Sequence, residues 1–129
     1  KSSLLETVVV CPSNPFLSID PILAVNGVRK KLKRSKAKVI AVSPIVGGDA
    51  VKGPTANNLR DLGFSVSAYS IAKYYSDFID GFILDRGDEN EITKIESLGI
   101  QVGLADTVMT NLQTKIKLAE DIIRFSKTL

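Results

Sequence analysis

The sequence predicts an α/β fold in which helices pack over a mainly parallel sheet. Short β-branched runs alternate with segments of helical period, in the order strand, helix, strand, helices, strand, helix, strand, helix. Parallel strands need long crossovers, and helices supply them. The stretches between are Ser-, Pro- and Gly-rich and short, which marks loops rather than a domain linker. The chain has 129 residues, of which 44% are hydrophobic and 24% charged, so it holds one core and not two.

Thr7 to Cys11 (TVVVC) reads as a buried strand stopped by Pro12-Ser-Asn-Pro15, with Cys11 a small buried hydrophobe. A helix is expected from Pro21, with Asp20 placed to cap it and Ile22, Val25, Val28 and Leu32 on one face. Asn26-Gly27 weakens its middle. Lys38 to Val42 (KVIAV) is the second strand, and Ser43 to Gly48 a loop. Thr55 to Leu62 and Ser67 to Phe78 read as helices, the first ended by Gly63. Gly81 to Leu84 is the third strand, Glu89 to Leu98 a short helix closed by Gly99, and Ile100 to Leu104 the fourth strand. Asn111 to Leu129 is a long amphipathic helix with Leu112, Ile116, Ala119 and Ile123 on its apolar face.

Composition excludes several classes of function. The chain has no His, so imidazole bases and His-ligated metals are out. A single Cys cannot form an internal disulfide. No run approaches the ~20 apolar residues of a membrane span. Aromatics are only 6%, too few for a single-strand nucleic-acid platform. Net charge is +3, and Arg29, Lys30, Lys31, Lys33, Arg34, Lys36 and Lys38 cluster together. We read that run as a solvated helix face and expect no nucleic-acid or membrane partner. The sequence opens on Lys1 without signal-peptide grammar, so a cytoplasmic protein is expected.

In open α/β sheets ligands bind beyond the carboxyl ends of the strands. Two loops there have unusual composition. Pro12 to Pro15 offers Ser13 and Asn14 between stiffening prolines. Ser43 to Gly48 ends in Gly47-Gly48, whose N–H groups a ligand can approach closely. Lys52-Gly53 adds a cation before the next helix, a pattern suited to a phosphate. Each has a plain structural account as well: a rigid turn, a flexible connection, a surface lysine. Together they favour a ligand site. Asp85, Asp88 and Glu89 are read as exposed loop carboxylates and a helix cap rather than metal ligands.

No G-x-G-x-x-G and no G-x-x-x-x-G-K-[ST] occurs, so a complete phosphate loop is not encoded here. What does occur is an ordered series: Cys11-Pro-Ser-Asn-Pro15, Ser18-Ile19, Pro21 to Val25, Ala41-Val-Ser-Pro-Ile-Val-Gly-Gly48, Val51-Lys-Gly-Pro54, Gly81 to Asp85 and Asp106 to Met109. The series resembles the 2-phospho-L-lactate transferase family. The resemblance runs from about Thr7 to the C-terminus. A related family of nucleotide-sugar-binding regulators shares the Pro-Ser-Asn-Pro element.

The resemblance implies a Rossmann-like fold. It implies transfer of a phospholactyl group from lactyl-2-diphospho-5′-guanosine to the deazaflavin FO, with release of GMP, in coenzyme F-420 biosynthesis. It implies a need for Mg²⁺, whose ligands would lie outside this chain. Residues 1–129 would be one α/β domain, the C-terminal part of an enzyme whose Gly-rich N-terminal half is absent; alone it would be inactive. It would pair with that half or form a homo-oligomer. Carried over by position, the substrate-binding candidates are Pro12, Ser13, Asn14, Pro15, Ser18, Ser43, Pro44, Gly47, Gly48, Lys52 and Gly53, with the glycines and Lys52 toward nucleotide or diphosphate. No catalytic acid or base is assigned. The alternative is a non-catalytic nucleotide or nucleotide-sugar binding regulator on the same fold. Two positions depart from the family: Asp20 replaces Gly and Asn26 replaces Pro. Asp20 either caps its helix or places a negative charge beside an anion.

Overall fold

The computed structural model describes residues 4–50 and 53–129. In chain order the strands are β1 (Thr7–Val10), β2 (Lys38–Val42), β3 (Ile45–Val46), β4 (Asp49–Ala50), β5 (Gly81–Asp85) and β6 (Gln101–Ala105). The α-helices are α1 (Asp20–Leu23), α2 (Val28–Arg34), α3 (Thr55–Asp61), α4 (Ala68–Tyr75), α5 (Ile92–Glu96) and α6 (Leu112–Ser126). Strands β1, β2, β5 and β6 form a four-stranded parallel sheet in that spatial order. The expected mixed α/β architecture with a parallel sheet is therefore present. The strand order advances in one direction, with no reversal of winding among the described residues.

The two central strands are the most buried. In β2, Val39, Ile40, Ala41 and Val42 are closed to solvent, and in β5 so are Phe82, Ile83 and Leu84. Runs of this kind mark strands buried on both faces. On one face Val39, Ala41, Phe82 and Leu84 meet Leu59, Ile71, Ala72, Tyr75 and Ile95 from the crossover helices. On the other, Ile40, Val42 and Ile83 meet Leu118 and Ile122 of α6. Gly81 and Gly103 let this last contact form. A Cβ at Gly103 would stand 2.9 Å from the Phe125 ring, and one at Gly81 2.7 Å from it.

Several expectations need correction. Among the described residues β1 is an edge strand with one neighbour; only Val10 in it is buried, and Cys11 is exposed rather than buried. The helix expected from Pro21 to Leu32 is broken. A single π-helical turn (Pro15–Ile19) leads into α1, and α2 starts only after Gly27, which sits in the left-handed region at φ 85°. Ile22 and Val25 are exposed; Leu23 is the residue α1 buries. Asp20 does not cap: it accepts a hydrogen bond from the Tyr74 hydroxyl of α4. Burial and that bond push the Tyr74 phenol up to about 12. The loop from Ser43 to Gly48 is a β-hairpin, β3 pairing antiparallel with β4 about Gly47-Gly48. The short helix near Glu89 opens as a 3₁₀ segment (Arg86–Glu91) before α5. The buried row of α6 is Leu118 and Ile122, while Leu112, Ile116, Ala119 and Ile123 are exposed.

The basic run lies partly on α2, as expected. Arg29 and Lys33 pair with Asp77 at 2.8 and 3.1 Å, and Arg29 also lies 5.2 Å from the Phe78 ring centre. Partial burial pushes Asp77 up, but the hydrogen bonds from Lys33 and Arg29 outweigh it and hold its carboxyl below the ordinary range. No helix among the described residues is long and apolar enough to cross a membrane.

Candidate functional site

A cleft of about 630 Å³ opens at the carboxyl end of the sheet. Pro12, Ser13 and Asn14 form one wall beyond β1, and Ser43 and Pro44 the floor beyond β2. Gly53, Pro54 and Thr55 enter from the start of α3, and Thr107 to Thr110 close the side beyond β6. Ligand sites in open α/β sheets form at this end, because several strands deliver loops to one place.

Asn14 positions the first wall. Its Oδ1 accepts from Phe16 N at 2.9 Å and Leu17 N at 3.0 Å, and its Nδ2 donates to Asn58 Oδ1 at 2.8 Å. Those bonds tie the loop after β1 to α3 and leave one Asn14 N–H without a partner among the described residues. Ser13 makes no side-chain hydrogen bond to another described residue and is half-buried. Ser43 is buried and accepts from Ile45 N at 3.1 Å, which turns the chain into the hairpin. Thr107 donates through N at 3.0 Å and Oγ1 at 3.1 Å to one Asp85 oxygen, while the other accepts from Gly87 N at 3.0 Å. Asp85 thereby fixes the wall after β6 from the end of β5.

The sequence-predicted residues divide. Pro12, Ser13, Asn14, Ser43, Pro44 and Gly53 line the cleft together. Pro15 is buried, and Ser18 is exposed outside the lining. Gly47 and Gly48 also lie outside it, and their N–H groups already donate to Asp88 at 3.1 and 2.8 Å. Asp88 is not the exposed loop carboxylate expected; it is 3% exposed, because the hairpin turn closes over it. Lys52 lies outside the described residues. The Thr107–Thr110 wall, Pro54 and Thr55 were not singled out as site residues. The strand-end rule applied to the fourth strand would have found the first of these, but that loop lacks the Gly and Pro signals of the others.

The chemistry of the cleft is uncharged among the described residues. Three prolines, Val108 and Met109 supply flat or apolar surface, and Ser13, Thr55, Thr107 and Thr110 supply hydroxyls. Asp85 and Asp88 are occupied by backbone N–H groups, and no group of three or more metal-ligating side chains occurs among the described residues. The residues described here do not fit the Mg²⁺ that the resemblance implies.

Comparison with known proteins gives a consistent result. Residues 5–123 match the family described as 2-phospho-L-lactate transferase CofD. A 2-phospho-L-lactate transferase of Methanosarcina mazei is 40% identical over 119 residues, which are 92% of this chain and 39% of that protein. One from Methanosarcina acetivorans is 40% identical over 124 residues, 96% of this chain and 40% of that protein. One from Methanocaldococcus jannaschii is also 40% identical over 124 residues, 96% of this chain and 38% of that protein. The chain spans about two-fifths of the length of these relatives. With nearly its whole length matched at this identity, the chain belongs to the CofD family of 2-phospho-L-lactate transferases.

Proposed function

We propose that this chain supplies the acceptor side of a transferase that moves a phospholactyl group from lactyl-2-diphospho-5′-guanosine to the deazaflavin FO. A ribityl hydroxyl oxygen of FO attacks the phosphorus that carries lactate. The bond from that phosphorus to GMP breaks, GMP leaves, and the hydroxyl proton is released. Positioning and charge stabilisation supply most of the acceleration in such a displacement, so the lack of His is no obstacle. In this reading the chain works as part of a family-length, Rossmann-like enzyme, and the remaining part supplies the diphosphate grip and the Mg²⁺ ligands.

One observation carries the assignment of the acceptor to this cleft: its described lining is uncharged, proline-rich and hydroxyl-bearing. A flat heterocycle with a polyol chain suits such walls. The N–H donors at Gly47 and Gly48 are taken by Asp88, so in this reading the nucleotide is held elsewhere. Calorimetric titration of the chain with FO, and separately with GDP, tests this. FO saturates and GDP does not, and Ser13→Ala with Thr55→Val weakens FO binding at least tenfold. Saturation by GDP alone would assign the cleft to the donor. Binding of neither would remove the cleft from the site.

A further inference from the structure

The wall that Pro12 to Asn14 present to the cleft runs straight into a turn of unusual shape. After Asn14 the chain makes one π-helical turn, in which Ile19 N donates to Asn14 O at 3.2 Å and Asp20 N to Pro15 O. A single wide turn has few bonds of its own, and such turns recur at functional sites. β1 gives the wall little anchorage, since among the described residues it has one neighbour and buries only Val10. The turn is held instead from the crossover between β4 and β5. Asn14 Nδ2 donates to Asn58 Oδ1 of α3 at 2.8 Å. The Phe16 ring meets the Tyr74 ring of α4 edge to face, with centroids 4.9 Å apart. The Tyr74 hydroxyl donates to Asp20 Oδ2 across 54 residues of sequence. The turn is thus tied at its start by Asn58, in its middle by a ring and at its end by a hydroxyl. The same crossover delivers Thr55 of α3 to the cleft.

We propose that Asp20 and Tyr74 are positioning residues for the ligand: their hydrogen bond holds the turn after β1, and with it Ser13 and Asn14, where the cleft needs them. Neither residue lines the cleft. The proposal rests on the reading above that the cleft takes FO. A hydroxyl bonded to a carboxylate oxygen is among the stronger ties that side chains make. α4 is buried through Ala68, Ser70, Ile71, Ala72 and Tyr75, so the fold does not depend on the Tyr74 hydroxyl. Cutting the tie therefore frees the wall and leaves the core standing. Apparent affinity then falls in proportion to the fraction of molecules whose wall is in place.

The test is calorimetric titration of the chain and its variants with FO, joined to amide hydrogen exchange. Tyr74→Phe removes the hydroxyl and keeps the ring against Phe16. It weakens FO binding at least about tenfold and speeds exchange of the Ser18 and Ile19 amides by a similar factor, since one opening of the turn governs both. Asp20→Ala weakens binding equally, and the double variant binds no more weakly than either single one, because all three lack the same bond. Asp20→Asn keeps an oxygen acceptor and recovers most of the binding. Gly103→Ala, which crowds Phe125 far from the turn, loses stability but keeps its FO affinity within about twofold. Unchanged exchange in Tyr74→Phe overturns the proposal. So do single effects that multiply in the double variant, or a Gly103→Ala loss of affinity as large as that of Tyr74→Phe. A wild-type chain that does not take up FO refutes the cleft reading instead, and the exchange rates alone then decide whether Asp20 and Tyr74 hold the wall.

Discussion

Asp88 shows how a single buried carboxylate decides what a neighbouring loop can do. Both of its oxygens accept from the hairpin turn, Oδ2 from Gly47 N at 3.1 Å and Oδ1 from Gly48 N at 2.8 Å. The turn needs glycine at both places, since φ is 62° at Gly47 and 80° at Gly48, a left-handed pair that matches the twist of a two-residue hairpin. The carboxylate tolerates burial because the N–H groups replace its water. Asp88→Ala leaves two N–H groups without their acceptor and is expected to cost about 1–3 kcal/mol, read as a shift in urea midpoint at unchanged slope. An unchanged midpoint would show that water substitutes freely. The sequence displayed Gly47-Gly48 but not its partner, which lies about 40 residues away in the 3₁₀ segment. An open anion grip and a satisfied turn look alike until that partner is placed.

Among the elements, the four strands of the parallel sheet were legible, the β3–β4 hairpin was read as a loop, and the helix faces were only partly legible. Val-rich β1, KVIAV in β2 and GFILD in β5 sit within a residue of where composition puts them, because few other structures accept such runs. α6 offers two apolar rows at helical spacing, Leu112/Ile116/Ala119/Ile123 and Leu118/Ile122/Phe125/Leu129. Periodicity cannot rank them; the sheet does, because Gly81 and Gly103 leave room for Phe125. Gly103→Ala is therefore expected to destabilise by about 1–3 kcal/mol through overpacking, measured by thermal melting. Adding Phe125→Leu should recover part of that loss, and no recovery would place the clash elsewhere. The α2 ion pair gives a smaller, pH-dependent effect. The folded Asp77 carboxyl is held below its ordinary value, so its contribution is present above about pH 4 and fades as pH falls through the folded pKa. Both partners are more than a third exposed, which limits the loss in Asp77→Asn to about 0.5 kcal/mol. The difference from wild type should appear at neutral pH, shrink in salt, and vanish in acid.

At the scale of the whole molecule, the cleft exists only because the sheet brings distant loops together. Its walls come from residues 12–14, 43–44, 53–55 and 107–110, so no local window of the sequence contains it. The strand-end rule located the first two loops from the pattern alone, while the loop after β6, quoted from the sequence only as part of the family resemblance, is held against the cleft by its tie to β5. That tie is Asp85, which ends β5 and holds Thr107 N, Thr107 Oγ1 and Gly87 N. Asp85 is outside the cleft lining, so it acts as a positioning residue: it fixes the Thr107–Thr110 wall without touching a ligand. Asp85→Ala is expected to cost about 1–3 kcal/mol of stability and to speed exchange of the Thr107 amide. If the cleft takes FO, the same change weakens FO binding at least tenfold. Asp85→Asn keeps an oxygen for Thr107 and should restore most of the binding while recovering less of the stability, since its amide cannot accept from Gly87. A merely structural role would move stability and binding in proportion across the two variants. Equal loss of binding in both, despite a restored Thr107 contact, would show that the wall after β6 is not what holds the ligand.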